Sequence, residues 1–217
     1  MLFLKYISVY TITAAILTVA VIFPCQASEQ TRRFPLELEI LAANAQTILS
    51  TTMSSRQKHA LKIRIASSLG TLHFLARQYL QAQHLSDTDL LPKIDALHRV
   101  FTSGIMQRFA IMSGRLAHQY PAVLTGLRPE DAKQNDIRAG RHIYRHLCMG
   151  CHEHPDSRHV SPAQDLFTMA KTQPQSEFIA RLVCGVHGTP AVALHNPFSD
   201  SEIAGLASYL IHRKLRD

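Results

Sequence analysis

The chain has 217 residues, of which 46% are hydrophobic and 18% are charged, so it can bury a core and is too apolar for a disordered chain. Its formal net charge is +7, and its four cysteines are too few for a disulfide scaffold. Low aromatic content without tryptophan counts against a large all-β core. We therefore predict an all-α protein.

The first 27 residues have the composition of an export signal. Lys5 supplies one positive charge, residues 7–23 contain no charged side chain, and Ala27 provides the small residue that signal peptidase requires. We predict a signal peptide over residues 1–27 and a periplasmic protein. Two alternatives stay open. Residues 7–23 approach the length that spans a bilayer and would associate the protein with the membrane if uncleaved, and Cys25 is a candidate for acylation.

The exported chain is basic. Removing residues 1–27 removes one lysine and no acid, which leaves 22 basic side chains against 16 acidic ones. Such a balance suits an acidic protein partner or an anionic membrane surface. No basic run is interleaved with aromatic residues, and an exported protein does not meet nucleic acid, so we exclude a nucleic-acid partner.

Residues 28–125 are predicted to form a helical N-terminal region. A first helix is expected to start at Pro35, with Leu38, Leu41, Ala45 and Ile48 on one face. Two longer stretches follow with apolar residues at helical spacing. In these stretches the apolar residues are Leu61, Ile65, Leu72, Leu75 and Tyr79, then Leu90, Ile94, Leu97, Phe101, Ile105, Phe109, Met112 and Leu116. The pattern predicts a helical hairpin or three-helix bundle.

Residues 126–217 form the second predicted region. Pro129, followed by two acids, is typical of a helix start, and the helix is predicted to run through Leu147. It leads directly into the sequence Cys148-Met149-Gly150-Cys151-His152.

This pentapeptide is the strongest functional signal in the chain. Two thiols three residues apart can bond to the two vinyl groups of one haem, and His152 then lies where a proximal iron ligand is needed. A zinc site would need a second ligand pair, and a thioredoxin-type pair follows a strand and needs no histidine. We therefore predict one covalent haem c, attached through Cys148 and Cys151.

Residues on both sides of the motif carry a family resemblance. Gly140 and Tyr144 lie eight and four residues before Cys148, and a capping box at Ser199–Glu202 opens a closing apolar helix. With the motif, this makes residues from about 129 to about 214 similar to a class I cytochrome c domain. The resemblance implies that the first and last helices cross closely at the glycine, with the ring packed in the crossing. It further implies that the Pro162 carbonyl accepts the proximal imidazole N–H.

The distal side departs from the family. Thr189 stands where the resemblance expects the methionine that ligates iron, and threonine is a poor ligand. His187, two residues away in a glycine-flanked loop, is our first candidate for the distal ligand. The alternatives are an open site, or one of three other side chains: Met169, His195 or Cys184.

These observations predict a periplasmic monohaem cytochrome that transfers single electrons and is not itself an enzyme. Its partner is expected to be a redox protein with an acidic docking surface. Two alternatives are kept. One is a five-coordinate, cytochrome c′-like protein that binds a small gas, and the other is the electron-accepting subunit of a periplasmic oxidoreductase.

Overall fold

A computed structural model describes residues 24–49, 53–153, 163–185 and 196–212, with the backbone alone for 24–30. The protein is all-α, as predicted, and those ranges contain helices and turns without a strand. The predicted leader lies outside the described residues except for its last four positions. None of the described helices is long and apolar enough to cross a membrane.

Four helices form the N-terminal part where a hairpin or three-helix bundle was predicted. They are α1 (Pro24–Leu49), α2 (Ser55–Ala82), α3 (Leu90–Thr102) and α4 (Met106–Gln119). Leu38, Leu41, Ala45 and Ile48, the predicted face of α1, pack into one core with apolar residues of the other three helices. A capping box at Ser54 and Gln57 fixes the start of α2, with the Ser54 N–H donating to Gln57 Oε1 at 2.9 Å.

Pro35 lies inside α1 and not at its start, which corrects the sequence prediction. A proline at this position removes one backbone hydrogen bond of the helix and crowds the preceding turn. Phe34 and Leu36 on either side are fully buried, each in a different apolar cluster. Burial on two faces of α1 thus offsets the cost of the proline.

The long stripe from Leu90 to Leu116 is two helices and not one. Gly104 has φ +76°, which ends α3, and its N–H donates to the Phe101 carbonyl at 3.0 Å. Ile105, which the periodicity assigned to the core, is 51% exposed in the connection. The apolar spacing continues through the break, so periodicity alone did not reveal it.

The C-terminal part begins with a turn at Pro129–Asp131 and continues with α5 (Gln134–Ile143). The helix begins at Gln134 and not at Pro129, because Ala132 is extended and the Lys133 N–H bonds the Asp136 carboxylate at 2.8 Å. The remaining helices are α6 (Met149–His152), α7 (Leu166–Thr172), α8 (Gln175–Cys184) and α9 (Asp200–His212).

Helix α1 packs against both parts of the chain. Leu36 and Ile40 are buried together with Ile179 of α8 and Ile203 of α9. Beside them, the Arg32 guanidinium makes two bonds to the Asp200 carboxylate, at 2.7 and 2.6 Å. The C-terminal helices are therefore anchored to the bundle through one face of α1.

Candidate functional site

Helices α5 and α9 cross in backbone contact at two glycines. A Cβ atom added to Gly140 would lie 2.3 Å from the Leu206 nitrogen, and one added to Gly205 would lie 2.0 Å from the Asp136 carbonyl oxygen. Both distances are far inside van der Waals contact, so only glycine fits at either position. The close crossing of the first and last helices expected at Gly140 is present.

Three aromatic rings pack against one another beside this crossing. Tyr144 is fully buried, with its ring centroid 4.9 Å from that of Phe167 and 5.8 Å from that of Tyr209. Burial and a hydrogen bond from its hydroxyl to Glu153 Oε1, 3.0 Å long, raise the pKa of Tyr144. The ring lies where the sequence placed it, and its hydroxyl holds the residue that follows His152.

One turn of π-helix, Tyr144–Cys148, joins α5 to the motif. The Met149 N–H reaches back to the Tyr144 carbonyl, five residues earlier. Single π turns inside helices are frequent at functional sites, because the extra residue redirects the side chains that follow. Here the turn sets the direction in which Cys148 and α6 leave the aromatic cluster.

Both motif cysteines are free thiols of unequal exposure. Cys148 is half-buried and Cys151 is exposed, one helical turn later. Burial, with a smaller contribution from Cys151, raises the pKa of the Cys148 thiol. Redox-active CxxC pairs depend on a lowered thiol pKa, so this direction argues against thioredoxin-type chemistry.

The imidazole of His152 is oriented by a backbone carbonyl. Its Nδ1 lies 2.5 Å from the carbonyl oxygen of Gln164. A carbonyl only accepts, so Nδ1 is the donor of this bond and Nε2 is the ring nitrogen left for a metal. Metal-ligating histidines are usually held in this way. The partner expected from the sequence was Pro162, which lies outside the described residues, and Gln164 occupies the role.

The distal residues fall on a segment that the structure leaves undescribed. His187, Thr189 and His195 all lie outside the described residues, so the distal ligand stays a prediction. At the near edge of that segment, the Asn196 side chain donates to the carbonyls of Leu182 and Val183 at 2.8 and 2.9 Å.

The two other distal candidates lie in apolar cores. Met169 packs with the aromatic cluster and is 9% exposed, while Cys184 is 1% exposed in the cluster beside α1. Burial raises the pKa of Cys184 well above its ordinary range. Both side chains are therefore packed in apolar clusters.

The residues present fit a covalently attached haem. Among the described residues, no group of three or more His, Cys, Asp or Glu side chains is arranged to hold a metal ion directly. A haem needs only two thiols and one imidazole here, because its own nitrogens supply four iron ligands. Free thiols at Cys148 and Cys151 and an oriented His152 meet that requirement.

Comparison of the chain with protein-family models, with curated proteins and with solved structures found no match. The resemblance to class I cytochromes c therefore rests on the motif and on the residues around it.

The two thiols and Cys184 are expected to react at very different rates in haem-free protein. Iodoacetamide should modify exposed Cys151 first and Cys148 more slowly, since only the thiolate reacts and the pKa of Cys148 is raised. For the same reason the Cys148 rate should still be climbing with pH at pH 9. Cys184 should stay unmodified until the protein unfolds. Peptide mapping over time measures each site, and equal rates at Cys148 and Cys151 would contradict the burial of Cys148.

Proposed function

We propose that the chain is an exported monohaem cytochrome of the c type that transfers single electrons. Cys148 and Cys151 form the two thioether bonds, and His152 is the proximal ligand. A haem held there supplies an iron that accepts and donates one electron at a time. The basic exported chain docks on an acidic surface of its redox partner.

The orientation of His152 carries this proposal. Its Nδ1 proton is held by the Gln164 carbonyl, so Nε2 is the nitrogen available to iron. The π turn before Cys148 and the Tyr144–Glu153 bond fix the chain on both sides of the motif. A permanently bound metal group requires a ligand whose orientation is fixed by its surroundings. Here the backbone carbonyl and the buried Tyr144 ring fix the position of His152.

Electron transfer is favoured over a cytochrome c′-like function by the position of the motif. A resemblance to cytochrome c′ would require the motif to lie on the fourth helix of a bundle. In the structure the four-helix part ends at Gln119, the motif follows α5, and α7, α8 and α9 come after it. A second imidazole from His187 would give a six-coordinate iron of low reduction potential, which suits a carrier and not a gas sensor.

An absorption spectrum with and without carbon monoxide tests the function. We expect reduced and oxidised protein to be low-spin, to lack the methionine–iron charge-transfer band, and to be unchanged by carbon monoxide. His187→Ala should make the iron accessible to carbon monoxide, whereas His118→Ala, a histidine of α4, should leave the spectrum unchanged. A high-spin spectrum that shifts with carbon monoxide in the unsubstituted protein would replace electron transfer with gas binding.

A further inference from the structure

The surface of α2 has an unusual combination of charge and exposed apolar side chains. The helix Ser55–Ala82 contains five Arg and Lys residues and no acid. On the same helix Ile63 is 54% exposed and Phe74 is 57% exposed. The opposite face of α2 builds the core, so packing within the bundle does not explain why Ile63 and Phe74 are exposed to water.

These side chains share one face. Ile63 and Phe74 are eleven residues apart, which is close to three full helical turns, so they point the same way about 16 Å apart. Ala66, Ser67 and Gly70 lie between them and are exposed, so the two bulky side chains project beyond a line of small residues. We call the stretch from Ile63 to Phe74 on this side the exposed face of α2.

One exposed cation lies near each end of the exposed face. Lys62 and Arg77 are exposed next to its two bulky apolar side chains, one at each end. Acids from neighbouring helices reach α2 at Ser68, where Glu37 accepts a bond at 3.3 Å inside the bundle, and at His73, where Asp95 lies 2.9 Å away. Ser68 is on the core side of α2 and His73 is on its flank. Neither acid therefore lies on the exposed face between Ile63 and Phe74.

We propose that the exposed face of α2 binds an anionic membrane surface, with Phe74 and Ile63 inserted among the acyl chains. Basic helices with projecting apolar side chains lie in the interface of anionic bilayers, where headgroups pair with the cations. A second copy of this chain is disfavoured, because the exposed Lys62 and Arg77 of each copy would face those of the other, and α2 has no acid to pair with them. The interaction is independent of haem and would hold the cytochrome at the bilayer without a spanning segment.

A single tryptophan tests the proposal, because the chain contains none. In Phe74→Trp the emission maximum should shift to the blue with vesicles of phosphatidylcholine and phosphatidylglycerol, and should not shift with phosphatidylcholine alone. Concentrated salt should reverse the shift. Adding Lys62→Glu and Arg77→Glu should weaken binding at least about tenfold. The matched control for charge is the double reversal of Arg108→Glu and Arg115→Glu, both exposed on α4, which should leave the affinity unchanged.

A second reporter separates insertion of α2 from general association. Ile111→Trp places the fluorophore on α4 at a side chain that is 46% exposed, and its emission should not change with either vesicle. An unshifted Phe74→Trp with anionic vesicles would overturn the proposal, as would an equal shift with neutral ones. A shift with protein concentration alone would assign the face to a second copy, and a shift with poly-glutamate but not vesicles would assign it to an acidic protein.

Discussion

Gly140→Ala is expected to destabilise the C-terminal part of the protein by about 3 kcal/mol, because the new methyl group would meet backbone and not a movable side chain. The Leu206 nitrogen and the Gly205 carbonyl carbon lie 2.3 and 2.4 Å from the Cβ position. Helices α5 and α9 would have to separate, and Tyr144 would lose its packing. Gly205→Ala should act similarly. Urea unfolding followed by circular dichroism measures the loss.

Gly114→Ala is the matched control for that experiment. Gly114 lies inside α4, and a Cβ added there has no heavy atom within 4 Å. Alanine is the better helix former by up to about 1 kcal/mol, so this variant should be as stable as the parent or slightly more so. If Gly140→Ala unfolds at the same urea concentration as Gly114→Ala, the close crossing of α5 and α9 is wrong.

Replacing both motif cysteines with alanine is expected to abolish covalent haem attachment, because the one other cysteine whose side chain the structure describes, Cys184, is buried away from the motif. Cys148 and Cys151 lie one turn apart at the surface of the site, whereas Cys184 is buried in the cluster beside α1. Haem staining of the protein after denaturing electrophoresis should fall from strong to absent. Either single substitution should reduce the stain, since one thioether bond remains.

Cys184→Ala is the control for the cysteine experiment. It removes a thiol of the same chain without touching the motif and leaves only a small cavity in an apolar cluster. Covalent haem should be retained in full. Loss of the stain in Cys184→Ala together with its retention in the double motif variant would exclude the proposed attachment.

The helices that the sequence revealed were those with one apolar stripe and a clear start. The stripe of α2 and the capping box at Ser199 and Glu202 needed only local information, and both are present in the structure. Asp87 lies in the polar connection before α3, where such a side chain is a typical N-cap, and it shows the limit of local signals. Its side chain accepts from the Asp89 N–H and from the Tyr120 hydroxyl, whereas no side chain caps α3.

The packing of α1 could not be derived from its main stripe. The sequence showed the face with Leu38 and Leu41, which faces the bundle. Leu36 and Ile40, four residues apart on another face, were the available signal for a second contact. They contact α8 and α9, which are far away in the sequence. Local spacing therefore could not predict this contact.

The pentapeptide alone predicted the chemistry of the candidate site. It did not predict the hydrogen bonds that hold the side chains of the site in place. The motif specifies which atoms would bond to the proposed haem, since thiol and imidazole spacing is a local property. The Gln164 carbonyl and the Glu153 carboxylate reach His152 and Tyr144 through the fold of the whole region. Backbone acceptors leave no mark in side-chain sequence, so Gln164 could not have been identified before the structure.

The most direct test of the central claim is the mass of one tryptic peptide. Cleavage after Arg145 and Arg158 releases residues 146–158, which contain Cys148, Cys151 and His152. The protein should be exported in a bacterium that attaches haem to c-type cytochromes, and then digested without reduction. We predict that this peptide carries the added mass of one haem and absorbs visible light. The same peptide at its unmodified mass, from protein made in such cells, would contradict the assignment as a c-type cytochrome.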